Sequence, residues 1–327
     1  MISGNGPCAD RSEPVLIRHH SSIGLVDSIG VVIPLHNKRN YVRRAIDSVL
    51  AQTHRDLTLT VVDDGSTDGS AACVEQIADP RIRLLRTACH GPGAARNIGM
   101  SVTNTEWIGL LDADDQWKPT FLAKTAAVAM RVPGIVAVFT NALVPGAVRK
   151  RFPERSGLIE DYHAARMSSG IAMSSSSILL RKAPFVSMGG FREDYRYAED
   201  TEAWFRLSCE GPTYYIDEPL SEIELHDPNS ITRSADSSER STGLQMLLDT
   251  YESYRQAQRI PPQHARSCRR FMQQQRGRLA LHMISGGQCP AGIRILLTGV
   301  PLGPHTWREY IHCAALALRR GLRSREL

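Results

Sequence analysis

WIGLLDADDQW, residues 107–117, sets three carboxylates, Asp112, Asp114 and Asp115, directly after the apolar run Trp107, Ile108, Leu110 and Leu111. A short apolar run bounded by polar residues predicts a buried strand. Its carboxylates then stand at the strand's C-terminal end, where open α/β sheets place their ligands. Like charges so close together repel, and folding tolerates them best with positive charge between them. A hard cation such as Mg²⁺ or Mn²⁺ meets that need, held by one or two carboxylates and finishing its shell on phosphate. The same residues also suit an acidic loop or a helix cap before Lys118-Pro119. The rest of the chain has to decide between the two.

On either side of this stretch, strands and helices alternate. Ile29–Ile33 is β-rich and stops at Pro34, and Tyr41, Val42, Ala45, Ile46, Val49 and Leu50 recur at helical spacing. LTLTVVD (57–63) predicts a second strand and Asp68 the N-cap of the next helix. A third strand follows at 81–86, then a glycine turn into a helix that runs to about residue 104. The quoted stretch is the fourth strand, with a helix over 119–132 and a fifth strand at 135–139 behind it. This rhythm predicts parallel βαβ units: an α/β, Rossmann-like, doubly wound and mostly parallel sheet with helices on both faces. Later the rhythm breaks. Strands are expected at 174–180, 213–216 and 222–225, a helix at 198–209, and only helices after about residue 237. The resulting division is a loose tail (1–27), a catalytic-sized domain (28–234) and a basic helical C-terminal extension (235–327).

The composition, 42% hydrophobic and 22% charged over 327 residues, is that of a globular protein. No apolar run reaches the ~18 residues that span a bilayer. The N-terminus lacks a basic-then-apolar signal pattern, and the seven scattered cysteines form no C-x-x-C pair. Both features predict a cytoplasmic location. A net charge of +5 conceals an asymmetry: residues 255–327 carry +11 and the remainder −6. The basic tail is therefore expected to meet something anionic. If residues 307–323 are helical, Trp307, Tyr310, Ile311, Ala314, Ala315, Leu318 and Leu322 share one side, opposite an Arg-rich face. That pattern makes 304–323 a candidate for an anionic membrane surface, or for a helix packed on the domain. No nucleic-acid motif accompanies the charge.

Two further segments carry chemistry. In VVDDGSTDGS, Asp63 and Asp64 end a strand, where a carboxylate can accept from a base or ribose. The spacing from Asp64 to Glu75 also fits a calcium loop, but an EF-hand requires a helix where a strand stands here. HGPGAARNIG (90–99) is a near miss for G-x-G-x-x-G, with Arg96 in place of the third glycine. A glycine turn opening a helix with an arginine one turn in suits an anionic phosphate.

Together, VVIPLHN, AIDSVLAQT, VVDDGSTDGS, GPGAARNIG, LLDADDQW, GGF and AED…W resemble the inverting family 2 glycosyltransferases of the GT-A fold, over roughly residues 29–232. The resemblance implies a nucleoside-diphosphate sugar donor, a UDP-sugar first among them, and a saccharide or lipid-linked acceptor. It implies a Mg²⁺ or Mn²⁺ cofactor on the D-x-D pair Asp112 and Asp114, with Asp114 the more direct ligand. Pro34, Asp64, Arg96 and Asn97 fall with the donor, and so does His226, with Ser230 near it. Gly190 and Phe191 shape the acceptor side beside Glu199, and Asp200 matches the family's catalytic base. Thr58 departs from the pattern, standing where many members have an acid. Physics agrees: inversion needs one base opposite the leaving group and positive charge beside the departing phosphate. The segment lacks the Q-x-x-R-W of processive synthases, so single sugar addition is expected, in cell-surface polysaccharide synthesis. A nucleotidyltransferase on a similar fold and a non-catalytic sugar-nucleotide-binding scaffold are the alternatives.

Overall fold

The structure, a computed structural model, describes residues 28–144, 155–225, 227 and 234–299, with side chains to residue 296. The tail (1–27), His226, Ser230 and the segment 304–323 lie outside the described residues. The first half alternates as its sequence dictates: β1 (Ile29–Leu35), α1 (Val42–Leu50), β2 (Leu57–Asp64), α2 (Ser70–Glu75), β3 (Ile82–Thr87), α3 (Pro92–Ser101) and β4 (Trp107–Leu110). Then come β5 (Gln116–Trp117), α4 (Phe121–Arg131), β6 (Ala137–Leu143), β7 (Gly157–Ile159), α5 (Tyr162–Ser169), β8 (Ile178–Arg181), α6 (Lys182–Ser187), α7 (Glu199–Glu210) and β9 (Thr213–Glu222). Helices α8 (Ser237–Gln256), α9 (Ala265–Ser285) and α10 (Cys289–Gly299) close the described chain.

The nine strands among the described residues join one sheet in the order β3-β2-β1-β4-β8-β6-β9-β5, with β7 added on β9. The β3-β2-β1-β4 half is parallel throughout; β8 runs antiparallel to both β4 and β6, and β9 returns parallel to β6. The order reverses at β1, flanked by β2 and β4, so the crevice beyond those strand ends is the switch point.

Alternate β1 residues feed opposite faces. Val31 and Ile33 pack with Val42, Ile46 and Phe121, whereas Val32 packs with Met100, Phe185 and Trp204. Helix α3 lies very close to β1 because residue 99 is glycine: a Cβ there would stand 2.4 Å from Val32 Cγ1. Helix α7 is buried on two sides. Trp204 enters the sheet's core, and Phe205 packs with Leu247, Tyr251, Tyr254 and Phe271 of the C-terminal helices.

Three local expectations need correction. Strand β1 continues through Pro34 to Leu35, because its pairing with β4 ends at Val32–Leu110 and the missing proline N–H breaks no bond on that side. The segments expected as strands at 213–216 and 222–225 are one strand, β9, which ends at Glu222. It crosses Pro219 because the register against β6 shifts on either side of Asn141. The expected strand at 174–180 begins as a 3₁₀ turn, Ser175–Ser177, since clustered serines hydrogen-bond the local backbone and compete with the ladder.

His163 on α5 joins the domain to the C-terminal helices. It is 2% exposed, contacts Ser208 Oγ through Nε2 at 3.2 Å, and lies 4.7 Å from the Phe271 ring. Burial, aided by Arg166, lowers its pKa to about 3. A depressed histidine contributes stability that is full above the unfolded value near 6.5 and is lost as pH falls toward 3. Wild-type stability should therefore fall by up to about 1.4 kcal/mol per pH unit in that window from this group. Urea titrations at pH 7, 5.5 and 4.5 should show a His163→Leu variant losing less across the series. Parallel losses would remove this role.

Candidate active site

The candidate site collects where β1, β2 and β4 end. Asp64, the last residue of β2, is 3% exposed, and its carboxylate accepts the His90 and Gly91 N–H groups at 2.9 and 2.7 Å. The glycine turn thus closes onto Asp64 while each oxygen keeps a further lone pair for a ligand. His36 lies alongside, with Nδ1 2.7 Å from the Asp64 carbonyl oxygen. Pro34 stands partly buried on β1 two residues earlier.

Beyond β4 the acidic loop is held from both sides. The Asp112 N–H donates to Ser176 Oγ at 3.0 Å, and the Trp117 indole donates to the Ser176 carbonyl at 2.8 Å. Each D-x-D carboxylate meets a cation. Arg96 reaches Asp112 at 2.6 Å, and Lys38 reaches Asp114 at 2.7 Å as well as Asp227. Burial would lower the Lys38 pKa, but Asp114 and Asp227 outweigh it and hold the ammonium up. Burial together with Asp112 keeps the Asp114 carboxyl above its usual range despite Lys38. Asp115 is no helix cap, since α4 begins only at Phe121. It is 5% exposed, accepts the Glu224 N–H at 2.8 Å and so ties the end of β9 to the loop. Burial, then Asp112 and Asp114, pushes its carboxyl up to about 8.

Arg96 is the hinge of the arrangement. It is 3% exposed, and its second terminal nitrogen donates to Glu199 at 3.0 Å, at the start of α7. Burial disfavours the charge, but Asp112 and Glu199 more than compensate and raise its pKa. Burial also holds the Glu199 carboxyl above its usual range. One guanidinium therefore joins the strand-end carboxylate of Asp112 to the helix that opens with Glu199 and Asp200. The residue before them, Ala198, has φ of +64°, a left-handed conformation costing on the order of 1–3 kcal/mol for a residue with a Cβ. Partly buried Asp200 follows, its Oδ1 accepting the Thr201 N–H.

Residues 30–183 match the family model described as Glycosyl transferase family 2. The chain carries a family 2 glycosyltransferase domain. The succinoglycan biosynthesis protein ExoO of Rhizobium meliloti is 38% identical over 104 residues, 32% of this chain and 30% of that protein. This chain spans about a third of the length of the first curated relatives it matches. The glycosyltransferase domain has the fold of S. aureus TarS, solved with UDP-GlcNAc: TM-score 0.63, 16% identity, covering 79% of this chain and 73% of that one. It also resembles the mannosyltransferase PcManGT of Pyrobaculum calidifontis, solved with GDP-Man and Mn²⁺: TM-score 0.56, 19% identity, covering 90% and 82%. Both likenesses place the domain in the GT-A fold.

Within the glycosyltransferase domain, Arg96 joins Asp112 to Glu199, with Asp200 next in the chain, while Asp64 ends β2 and Asp114 follows β4, the strands on either side of β1. Asn97 does not face the donor carboxylates. Its amide pairs with the Phe191 backbone like a peptide group, accepting from Phe191 N at 2.9 Å and donating to Phe191 O at 2.7 Å. The left-handed Gly190 (φ +65°) fits beside it, since a Cβ there would lie 2.6 Å from Asn97 Oδ1. Phe191 in turn lies under the Arg96 guanidinium, 5.2 Å from centroid to Cζ. Asp68 accepts the Ser70 N–H at 2.9 Å, but the cap residue of α2 is Gly69. The residues that sequence reasoning missed are Lys38, Asp227 and Asp115's link to Glu224. The available signal was that Lys38 is a cation in the first βα loop of a switch-point fold.

No group of three or more His, Cys, Asp or Glu among the described residues is arranged to hold a metal. Asp112 and Asp114 still offer the oxygen ligands that Mg²⁺ or Mn²⁺ accepts alongside phosphate and water. In this structure Asp114 pairs with Lys38 and Asp112 with Arg96. Among the described residues, no helix is long and apolar enough to cross a membrane.

Proposed function

We propose that this domain transfers a single sugar from a nucleoside-diphosphate donor to a hydroxyl of a saccharide or lipid-linked acceptor, with inversion. The carrying observation is the Asp112–Arg96–Glu199 bridge. It fixes the acidic strand end against the helix start that presents Asp200. The UDP-GlcNAc in the TarS complex and the GDP-Man in the PcManGT complex support a nucleotide-sugar ligand, and the similarity to a succinoglycan biosynthesis protein supports polysaccharide synthesis.

In this reading the base rests near Asp64 and His36, and the diphosphate lies toward Asp112, Asp114 and Lys38. Asp200 takes the proton of the acceptor hydroxyl as that oxygen attacks the anomeric carbon. The bond to the diphosphate oxygen breaks on the opposite face, and its electron pair leaves with the phosphate. Positive charge beside that oxygen stabilises it as the bond breaks. A divalent cation on Asp114 and Asp112 would add Lewis-acid stabilisation when bound. Residues 304–323 are proposed to bring the domain to an anionic membrane carrying the acceptor.

The test is a panel of nucleotide sugars with MnCl₂, scored for released nucleoside diphosphate. Release on an acceptor extract supports the reading, pyrophosphate would point to nucleotidyl transfer, and binding without release to a scaffold. Asp114→Ala should reduce the Mn²⁺-dependent thermal stabilisation by the donor at least about tenfold in apparent affinity. Unchanged affinity with and without Mn²⁺ would remove Asp114 as metal ligand.

A further inference from the structure

Lys38 sits between Asp114 and Asp227, and all three side chains are largely buried: 13%, 14% and 1% exposed. Buried charges so close are weakly screened by salt, and removing the lysine would leave two carboxylates without that partner. Asp112 already has Arg96, so both D-x-D carboxylates carry a protein cation before any ligand arrives. The two cations differ in freedom. Arg96 is pinned at both ends by carboxylates. Lys38 reaches Asp114 and Asp227 through a single ammonium, while its backbone N–H donates to Ser70 Oγ at 2.9 Å. Its neighbours Asn37 and Arg39 are fixed likewise, to Ser66 Oγ and Asp68. The loop is therefore anchored on the β2–α2 turn, while a four-carbon stem lets the ammonium change partners.

We propose that Lys38 is the built-in counter-ion of the leaving-group pocket, pairing with Asp114 and Asp227 and passing to the diphosphate when a donor brings a divalent cation to Asp114. This rests on the nucleotide-sugar reading above. Metal alone then has to displace the ammonium from Asp114 without offering it a new anion. Metal with a diphosphate gives the ammonium a new anion. The two ligands must in consequence bind with positive coupling, equal in both directions.

The experiment is a titration of the full chain with MnCl₂, alone and with UDP, following the six-line EPR signal of free Mn²⁺. Wild type should bind Mn²⁺ at least about tenfold more tightly with UDP than without. Lys38→Met should bind Mn²⁺ without UDP about tenfold more tightly than wild type, and its coupling to UDP should collapse. Adding Asp114→Asn to Lys38→Met should erase that gain, which locates the ion. Lys38→Arg, which keeps the charge, should behave as wild type. Lys38→Gln serves in place of Lys38→Met if the latter does not fold. Equal Mn²⁺ affinity of wild type and the neutral variants without UDP overturns the proposal. If UDP binds to none of the proteins while the neutral variants still gain Mn²⁺, the counter-ion assignment stands and the nucleotide reading falls.

Discussion

Asp200→Asn should lose sugar transfer by about 10²–10⁴-fold while binding the donor as well as wild type does. The split follows from position. Asp200 opens α7 on the Glu199 side of the Arg96 bridge, away from Lys38 and Asp114, so the substitution leaves the leaving-group charges alone. Asparagine keeps the acceptor oxygen that takes the Thr201 N–H, so the helix start retains its geometry. What it cannot do is hold a proton from the acceptor hydroxyl. Single-turnover transfer with a saturating donor isolates that step, and thermal shift with donor and Mn²⁺ checks binding. Transfer within a few-fold of wild type would remove Asp200 as base. A matching loss of donor affinity would instead make it a structural residue. The left-handed Ala198 sharpens the expectation, because a residue with a Cβ held at φ of +64° needs surroundings that over-determine it. Here those include α8, whose Gly243 sits so close that a Cβ would stand 2.2 Å from the Tyr197 carbonyl oxygen.

Local signals in the sequence serve best in the first half of the fold, and beyond it they still mark α7 and the C-terminal helices. Strands such as Ile29–Ile33 and Leu57–Asp63 show themselves because both faces are buried, and the helices between them show a single apolar stripe. The acidic loop is legible for the same reason: charge follows directly on an apolar strand. Pairings between distant residues leave no periodic trace. Lys38 meets Asp114 across 76 positions and Asn97 meets Phe191 across 94. Motif resemblance placed Asn97 with the donor, yet the turn at Gly190 needs a peptide-like partner and takes its amide. Pro219 argues locally against a continuous strand, and only the register shift in β6 makes room for it. The antiparallel insertion of β8 between β4 and β6 is likewise a tertiary fact, set by which apolar edge is left uncovered.

Removing Arg96 should be costly, with a pH signature that separates charge from packing. Arg96→Ala leaves Glu199, whose side chain is 13% exposed, facing Asp200 without its cation. It leaves Asp112 too, but that carboxylate is 34% exposed and solvent can screen it. Breaking one side of a buried pair costs about 3–5 kcal/mol, and the exposed half pulls the expectation to the lower end, near 3. Glu199 already has a raised folded-state pKa, and losing Arg96 raises it further. For an acid shifted upward, the folded state binds the proton more tightly than the unfolded chain. The charged form's penalty is therefore absent below the unfolded value and grows as pH rises through the folded one. Urea unfolding of wild type and Arg96→Ala should thus differ most at pH 8 and least at pH 5. An equal difference at both would mean that the loss is the guanidinium's packing on Phe191. Arg96→Lys can reach only one carboxylate, so it should recover part of the stability. Transfer should still fall, because the two halves of the site lose their common tether and small misplacements of reacting groups are expensive. Recovery of transfer by lysine would show that charge alone, without the fork joining Asp112 to Glu199, is enough.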